Sequence, residues 1–257
     1  MKRVLGRSRW IAYAVPSSAD RQLVCIAHSG GGASYFARWQ SHFDDTVQVL
    51  PVQLPGRENR VREELVSSCC ALSSELARAL VEDIGLAEDF AVFGHSLGGV
   101  IGFELVHRLA VDYGRRARLC AISAVAPCLG ADHRPSTELD DAAFLARVTA
   151  FGGLDRLSAI TTNPEACDLY TRILRADFAA VESFRPATLS GFRIPIRAYL
   201  GDEDPILTPD ALLGWQVYTD GEFSLRLMSG GHFYVQDHWA ELAADIGAHA
   251  FASGGAQ

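Results

Sequence analysis

The feature that most constrains this chain is a series of short, continuously apolar runs set between longer stretches of helical periodicity. The runs are Leu23 to Ala27 (LVCIA), Val47 to Val52 (VQVLPV), Phe90 to Phe93 (FAVF), Leu119 to Val125 (LCAISAV), Ile196 to Leu200 (IRAYL) and Phe223 to Met228 (FSLRLM). A strand with one wet face alternates apolar and polar side chains, whereas a strand covered on both faces does not. Helical spacing fills the intervals. Leu76, Leu80 and Ile84 recur at i, i+4 and i+8 within Ser73 to Ile84. Leu97 to Tyr113 follows the third run directly, and Gln236 to Phe251 puts Trp239, Leu242, Ala243 and Ile246 on one stripe. This alternation predicts an α/β fold: a mostly parallel, doubly wound sheet. Trp10 to Val15, with a turn over Pro16 to Asp20, is expected to add an antiparallel hairpin strand at one edge.

One interval is too long. About 70 residues separate Val125 from Ile194 without a convincing strand. Two helical patterns lie there, Asp140 to Phe151 and Glu165 to Phe184, the second carrying Leu169, Tyr170, Ile173, Leu174 and Phe178. A plain crossover needs roughly a dozen residues. The excess is read as a helical lid inserted at about 130–190 into a single domain spanning 1–257.

Charge and cysteine content exclude several classes. With 23 Lys plus Arg against 31 Asp plus Glu, the net charge is −8, the wrong sign for a bare electrostatic nucleic-acid binder. No apolar run approaches the ~20 residues of a membrane helix. The basic start MKRVLGRSRW is not followed by the apolar stretch of a secretory signal. None of Cys25, Cys69, Cys70, Cys120, Cys128 and Cys167 forms a C-x-x-C pair, so buried reduced thiols and a cytoplasmic location are expected. Cys69 and Cys70 are expected near a helix start, and Ser253 to Gln257 as a loose end.

The chemistry centres on Gly94-His95-Ser96-Leu97-Gly98-Gly99, a G-x-S-x-G sequence lying between an apolar strand and a helix. A sharp strand-to-helix turn holds such a serine clear of the sheet, beside a helix N-terminus that favours developing negative charge. Ser96 is therefore the candidate nucleophile. A serine needs a base. His232, after Ser229-Gly230-Gly231 and between the last strand and the last helix, is the best placed of eight histidines; His95 is read as structural, and His28, His42, His107, His133, His238 and His249 are less well placed. The base needs an orienting carboxylate. Gly201-Asp202-Glu203-Asp204-Pro205 offers three; Asp204 is preferred and Asp202 is the alternative. The order Ser96, Asp204, His232 is that of α/β-hydrolases. The backbone N–H groups of Leu97 and of Ser29, in the loop His28-Ser29-Gly30-Gly31-Gly32, are the expected oxyanion donors. No Lys-Ser or Lys-Thr follows the glycines, no H-E-x-x-H occurs, and no G-x-G-x-x-G opens a βαβ unit. No metal and no resident cofactor are expected.

These residues resemble a family. HSGGGASYFARW (His28 to Trp39), VQLPGRENRVRE (Val52 to Glu63), GHSLGG, GDEDP and GGHFY together look like the type II thioesterases of polyketide and nonribosomal peptide biosynthesis, over nearly the whole chain. The most discriminating part is Gln53-Leu54-Pro55-Gly56-Arg57-Glu58 with Arg60. The resemblance implies an α/β-hydrolase fold and hydrolysis of acyl groups from the phosphopantetheine arm of acyl or peptidyl carrier domains. It also implies Ser96, Asp204 and His232 as the triad, with amides at 29 and 97 as oxyanion donors. The family usually has alanine where this chain has Ser29, a change that a backbone donor survives.

Phe144 and Phe178 from the lid, with His28, Gly30 and Phe233 beside the nucleophile, are the candidate substrate-binding residues. Arg57, Arg60 and Arg62 have two readings: a solvated loop paired with Glu58, Glu63 and Glu64, or a basic patch docking an acidic carrier. The expected partners are carrier domains, with no nucleic acid and no membrane, and the chain is expected to be a monomer. A general carboxylesterase or lipase, or an acyltransferase of the same fold, shares every triad residue. A non-catalytic ligand-binding protein of this fold would ordinarily have lost one.

Overall fold

The structure is a computed structural model describing residues 8–128, 135–152, 163–187 and 191–251. The expected loose end 253–257, the start of the basic N-terminus and His133 lie outside the described residues.

Six strands form one sheet: β1 (Arg21–Ile26), β2 (Val47–Pro51), β3 (Asp89–His95), β4 (Cys120–Ser123), β5 (Ile196–Gly201) and β6 (Phe223–Met228). Their order is β2-β1-β3-β4-β5-β6, and every pair is parallel. Among the described residues the α-helices are α1 (Cys69–Arg78), α2 (Leu97–Tyr113), α3 (Asp141–Ala150), α4 (Pro164–Ser183), α5 (Pro209–Leu213) and α6 (Trp239–Phe251). Neighbouring strand residues feed opposite cores, which explains the unbroken apolar runs. Val24, Ile26, Phe90, Val92 and Ile122 join Leu76, Ile101 and Leu105 on one face. Leu23, Cys25, Ala91, Phe93 and Ala121 join Phe36, Trp39, Leu242 and Ile246 on the other.

The N-terminal expectation needs correction. Trp10 to Val15 is not a hairpin strand; Ile11 makes an isolated antiparallel bridge with Val52. The backbone turns away at Tyr13, whose φ is +59°. Trp10 is nevertheless buried, and its carbonyl accepts from the Gln53 N–H at 2.8 Å. The segment thus caps the β2 edge without extending the sheet.

Between β4 and β5 the described residues are helical apart from short connections. Asn163 caps α4 by accepting from the N–H groups of Glu165 and Ala166, and Pro164 occupies the first turn, where its missing donor does no harm. Among the described residues, no helix is long and apolar enough to cross a membrane. All six cysteines are free thiols; Cys25, Cys69 and Cys120 are buried, whereas Cys70 and Cys128 are exposed, so burial is the rule for only half of them.

Candidate active site

A parallel sheet puts all its strand C-termini along one edge, where loops gather chemistry from distant segments. Here β1 ends before His28 and Ser29, β3 before Ser96, β5 before Asp204 and β6 before His232.

The turn at Ser96 follows from its glycines. A Cβ at Gly94 would lie 1.9 Å from the Gly98 carbonyl oxygen, and one at Gly98 would lie 2.0 Å from that of Ile26. Only glycines allow β3 to turn so tightly into α2. Ser96 itself sits at φ 55°, ψ −119°, a costly region for a residue with a side chain. Its N–H donates to the Ser123 carbonyl on β4 at 2.7 Å, which helps to hold the turn. Leu97 opens α2, so its N–H belongs to the donor-rich helix start.

His232 is 3% exposed, and its Nδ1 lies 2.8 Å from Asp204 Oδ2. The other Asp204 oxygen accepts from the N–H groups of Ile206 and Leu207 at 2.9 and 3.0 Å. Burial alone would raise the Asp204 pKa. The hydrogen bond and charge of His232, with those two amides, outweigh it and hold the carboxyl below its ordinary range. An ionised carboxylate only accepts, so the proton of a neutral His232 sits on Nδ1 and the lone pair on Nε2. Asp202 is engaged elsewhere. It accepts from the Gly230 N–H at 2.9 Å and braces the loop that carries His232.

His95 is fully buried and serves the turn. Its Nδ1 is 2.8 Å from Ser123 Oγ, which is 2.6 Å from Tyr234 Oη. Burial, then the neighbouring His232 and His28, push its pKa well below that of a free histidine, so it stays neutral. His238 and His249 bond to the carbonyls of Ser229 and Asp245 instead.

The substrate-binding candidates divide. Phe233 meets the rings of His232 and His28 edge-on, at 5.2 and 5.1 Å. Phe178 is half-buried, but Phe144 is wholly buried beneath it, under the Arg175 guanidinium. Gly30 is not open for substrate through its amide, because its N–H donates to Asp177 Oδ2 at 2.7 Å. Phe151 completes a ring series from Phe178 to His232, which it meets edge-on at 5.0 Å. Its position at the end of α3 gave no sequence signal beyond its apolarity.

At Arg57 neither sequence reading holds, and at Arg60 the expected pairing with Glu63 is present but the side chain is buried rather than solvated. Arg57 and Arg60 are each 4% exposed, neither solvated nor offered to a partner. Arg57 grips Asp177 on α4 with two hydrogen bonds of 2.7 and 2.8 Å. Arg60 holds Glu63 and the Gln53 carbonyl, and its guanidinium lies over the Trp10 ring at 4.4 Å. Only Arg62 is exposed. Buried Gln53 accepts from the Ala33 N–H and donates to the carbonyls of Leu54 and Arg57. The segment that carried the family resemblance is therefore a scaffold. Asp177 was legible in principle: it breaks the apolar stripe of Tyr170, Ile173 and Leu174, and an acid on such a stripe needs a buried partner.

A model of the thioesterase domain matches residues 21–249. The chain belongs to the thioesterase family. Among relatives of this thioesterase, PikA5 of Streptomyces venezuelae, named a thioesterase, is 36% identical over 96% of this chain and 87% of its own length. The solved type II thioesterase BorB, from the borrelidin biosynthetic cluster, is 28% identical and superposes with a TM-score of 0.80, covering 95% of this chain and 97% of BorB. RedJ, a thioesterase of the prodiginine pathway in Streptomyces coelicolor, is 32% identical with a TM-score of 0.81, covering 96% of this chain and 90% of RedJ. The sheet is that of the α/β-hydrolase fold, and the chain is a thioester hydrolase.

Proposed function

We propose that this thioesterase is a discrete, editing enzyme that clears acyl groups from the phosphopantetheine thioesters of carrier domains in polyketide or nonribosomal peptide assembly. The observation that carries the mechanism is the 2.8 Å contact of His232 Nδ1 with Asp204, on the same sheet edge as the strained Ser96. His232 Nε2 takes the Ser96 hydroxyl proton as Oγ attacks the thioester carbonyl. The Ser29 and Leu97 amides hold the oxyanion. The C–S bond breaks, and the thiol leaves with the proton from the imidazolium. Water then attacks the acyl-serine, giving up a proton to His232; the carboxylic acid departs and Ser96 regains its hydrogen. The reading includes a monomer, and none of these steps draws on a cofactor. Six free cysteines support a reducing, cytoplasmic setting.

The test compares acyl-carrier proteins, acyl-N-acetylcysteamine thioesters and oxygen esters of one acyl group, with fluorophosphonate labelling of the protein. Thioesters should be hydrolysed ahead of oxygen esters, carrier-bound ones best of all, and the label should sit on Ser96. Preference for oxygen esters would move the reading to a carboxylesterase.

A further inference from the structure

The loop that offers the Ser29 amide is held from outside itself. The Gly31 N–H donates to the His28 carbonyl at 2.9 Å, and Gly30 has φ +76°, so Ser29 and Gly30 are the central residues of a tight turn with a left-handed third position. Such a turn can flip its central Ser29–Gly30 plane or pivot as a whole, and pivoting would carry the Ser29 N–H on the preceding peptide with it. The central plane ends in the Gly30 N–H, which donates to Asp177 at 2.7 Å. The Asp177 side chain is fully buried, and its carboxylate is fixed in turn by both guanidinium nitrogens of Arg57. Arg57 belongs to the scaffold in which Gln53 accepts from the Ala33 N–H, three residues beyond Gly30. Tyr170, further back along α4, lies against Gly30, where a Cβ would come within 2.6 Å of its hydroxyl.

We propose that Asp177 and Arg57 are positioning residues for catalysis. Together they anchor the turn at Gly30, so the oxyanion amide of Ser29, borne on the preceding His28–Ser29 peptide, keeps its aim only while α4 is seated on the loop. The inference rests on the thioesterase reading above and deepens it. It also assigns α4 to the fixed part of the lid, because lifting α4 would take the carboxylate partner from the buried Arg57 guanidinium and from the half-buried Gly30 N–H together.

The decisive comparison is the double variant Arg57→Met/Asp177→Leu against wild type, assayed with an acyl-N-acetylcysteamine thioester. The double variant removes both buried charges at once, yet leaves the Gly30 N–H without its acceptor. In protein with a native near-UV circular dichroism spectrum, kcat should fall about 10- to 100-fold with KM within threefold. A purely structural pair predicts unchanged turnover in the folded double variant. A kcat within twofold of wild type, or a loss carried by KM instead, overturns the proposal. Should that variant not fold, amide hydrogen exchange on wild type decides. The Gly30 amide should exchange at least ~10³-fold more slowly than an open loop amide, and an unprotected Gly30 overturns the anchor. Wild type inert toward every thioester would instead bring down the functional reading, and this inference with it.

Discussion

The carboxyl edge of the sheet and the helices between β4 and β5 contribute to the site by different rules. At the edge, position follows from chain connectivity. Strands β1, β3, β5 and β6 each end within four residues of the functional residue they carry, and the short loops leave little freedom. In the helical segment, position follows from packing and charge. Asp177 reaches Gly30 across 147 residues of sequence and Arg57 across 120. The edge therefore holds the reacting groups, while the helical segment holds a group that aims one of them. Errors at the edge should abolish chemistry; errors in the helical contact should degrade it.

The largest break in this comparison is expected at Ser96. Ser96→Ala should lower kcat by about 10⁵–10⁶ with little change in melting temperature, read by steady-state hydrolysis of one thioester. Near-normal turnover would remove the nucleophile. Asp204→Asn should lower kcat by about 10⁴ by allowing the wrong His232 tautomer. If Asp202→Asn gave the larger loss, the assignment of the two carboxylates would be reversed.

The helical contact should speak first in stability. Arg57→Met and Asp177→Leu should each cost about 3–5 kcal/mol in urea unfolding, since each strands the other's buried charge. The double variant should recover much of that loss, apart from about 1–3 kcal/mol for the orphaned Gly30 amide. Additive single losses would show that the two groups do not act as a pair.

The smallest effect belongs to an ion cluster that serves neither region. Burial would raise the Asp245 pKa, but hydrogen bonds from Arg197, Tyr199 and Arg226 bring it down to about 2. A folded pKa below the unfolded one gives stability that is complete above the unfolded value, about 3.9, and is lost as pH falls toward 2. Asp245→Asn should thus lower the melting temperature by a constant amount above about pH 4, and the gap to wild type should close between pH 4 and 2. A gap that persists at pH 2 would show that packing, not charge, is what the substitution removed.

These contrasts explain what is legible in the residues alone. The six strands lie within two residues of their apolar runs at each end, with Phe223–Met228 matching its run throughout. Leu119 to Val125 shrinks to Cys120–Ser123 because Ala124 turns to φ +52° at the site edge, which composition does not signal. In sequence, only a proline turn favours Asp204 over Asp202; what separates them in space is that Asp202 is spent on Gly230. The arginines of Val52 to Glu63 mislead because charged residues after a Pro-Gly turn look solvated until the covering helix is known.

By itself, the sequence determined whatever depends on neighbours along the chain: the covered parallel strands, the strained serine turn and the order of nucleophile, acid and base. Tertiary structure alone decided which carboxylate meets the imidazole, that Arg57 is buried, and that Asp177 governs a loop far from it in sequence. The physical reason is range. Backbone sterics and hydrophobic periodicity act over a few residues and leave a repeating trace, whereas a buried ion pair is one contact between distant positions and leaves only a charge out of place.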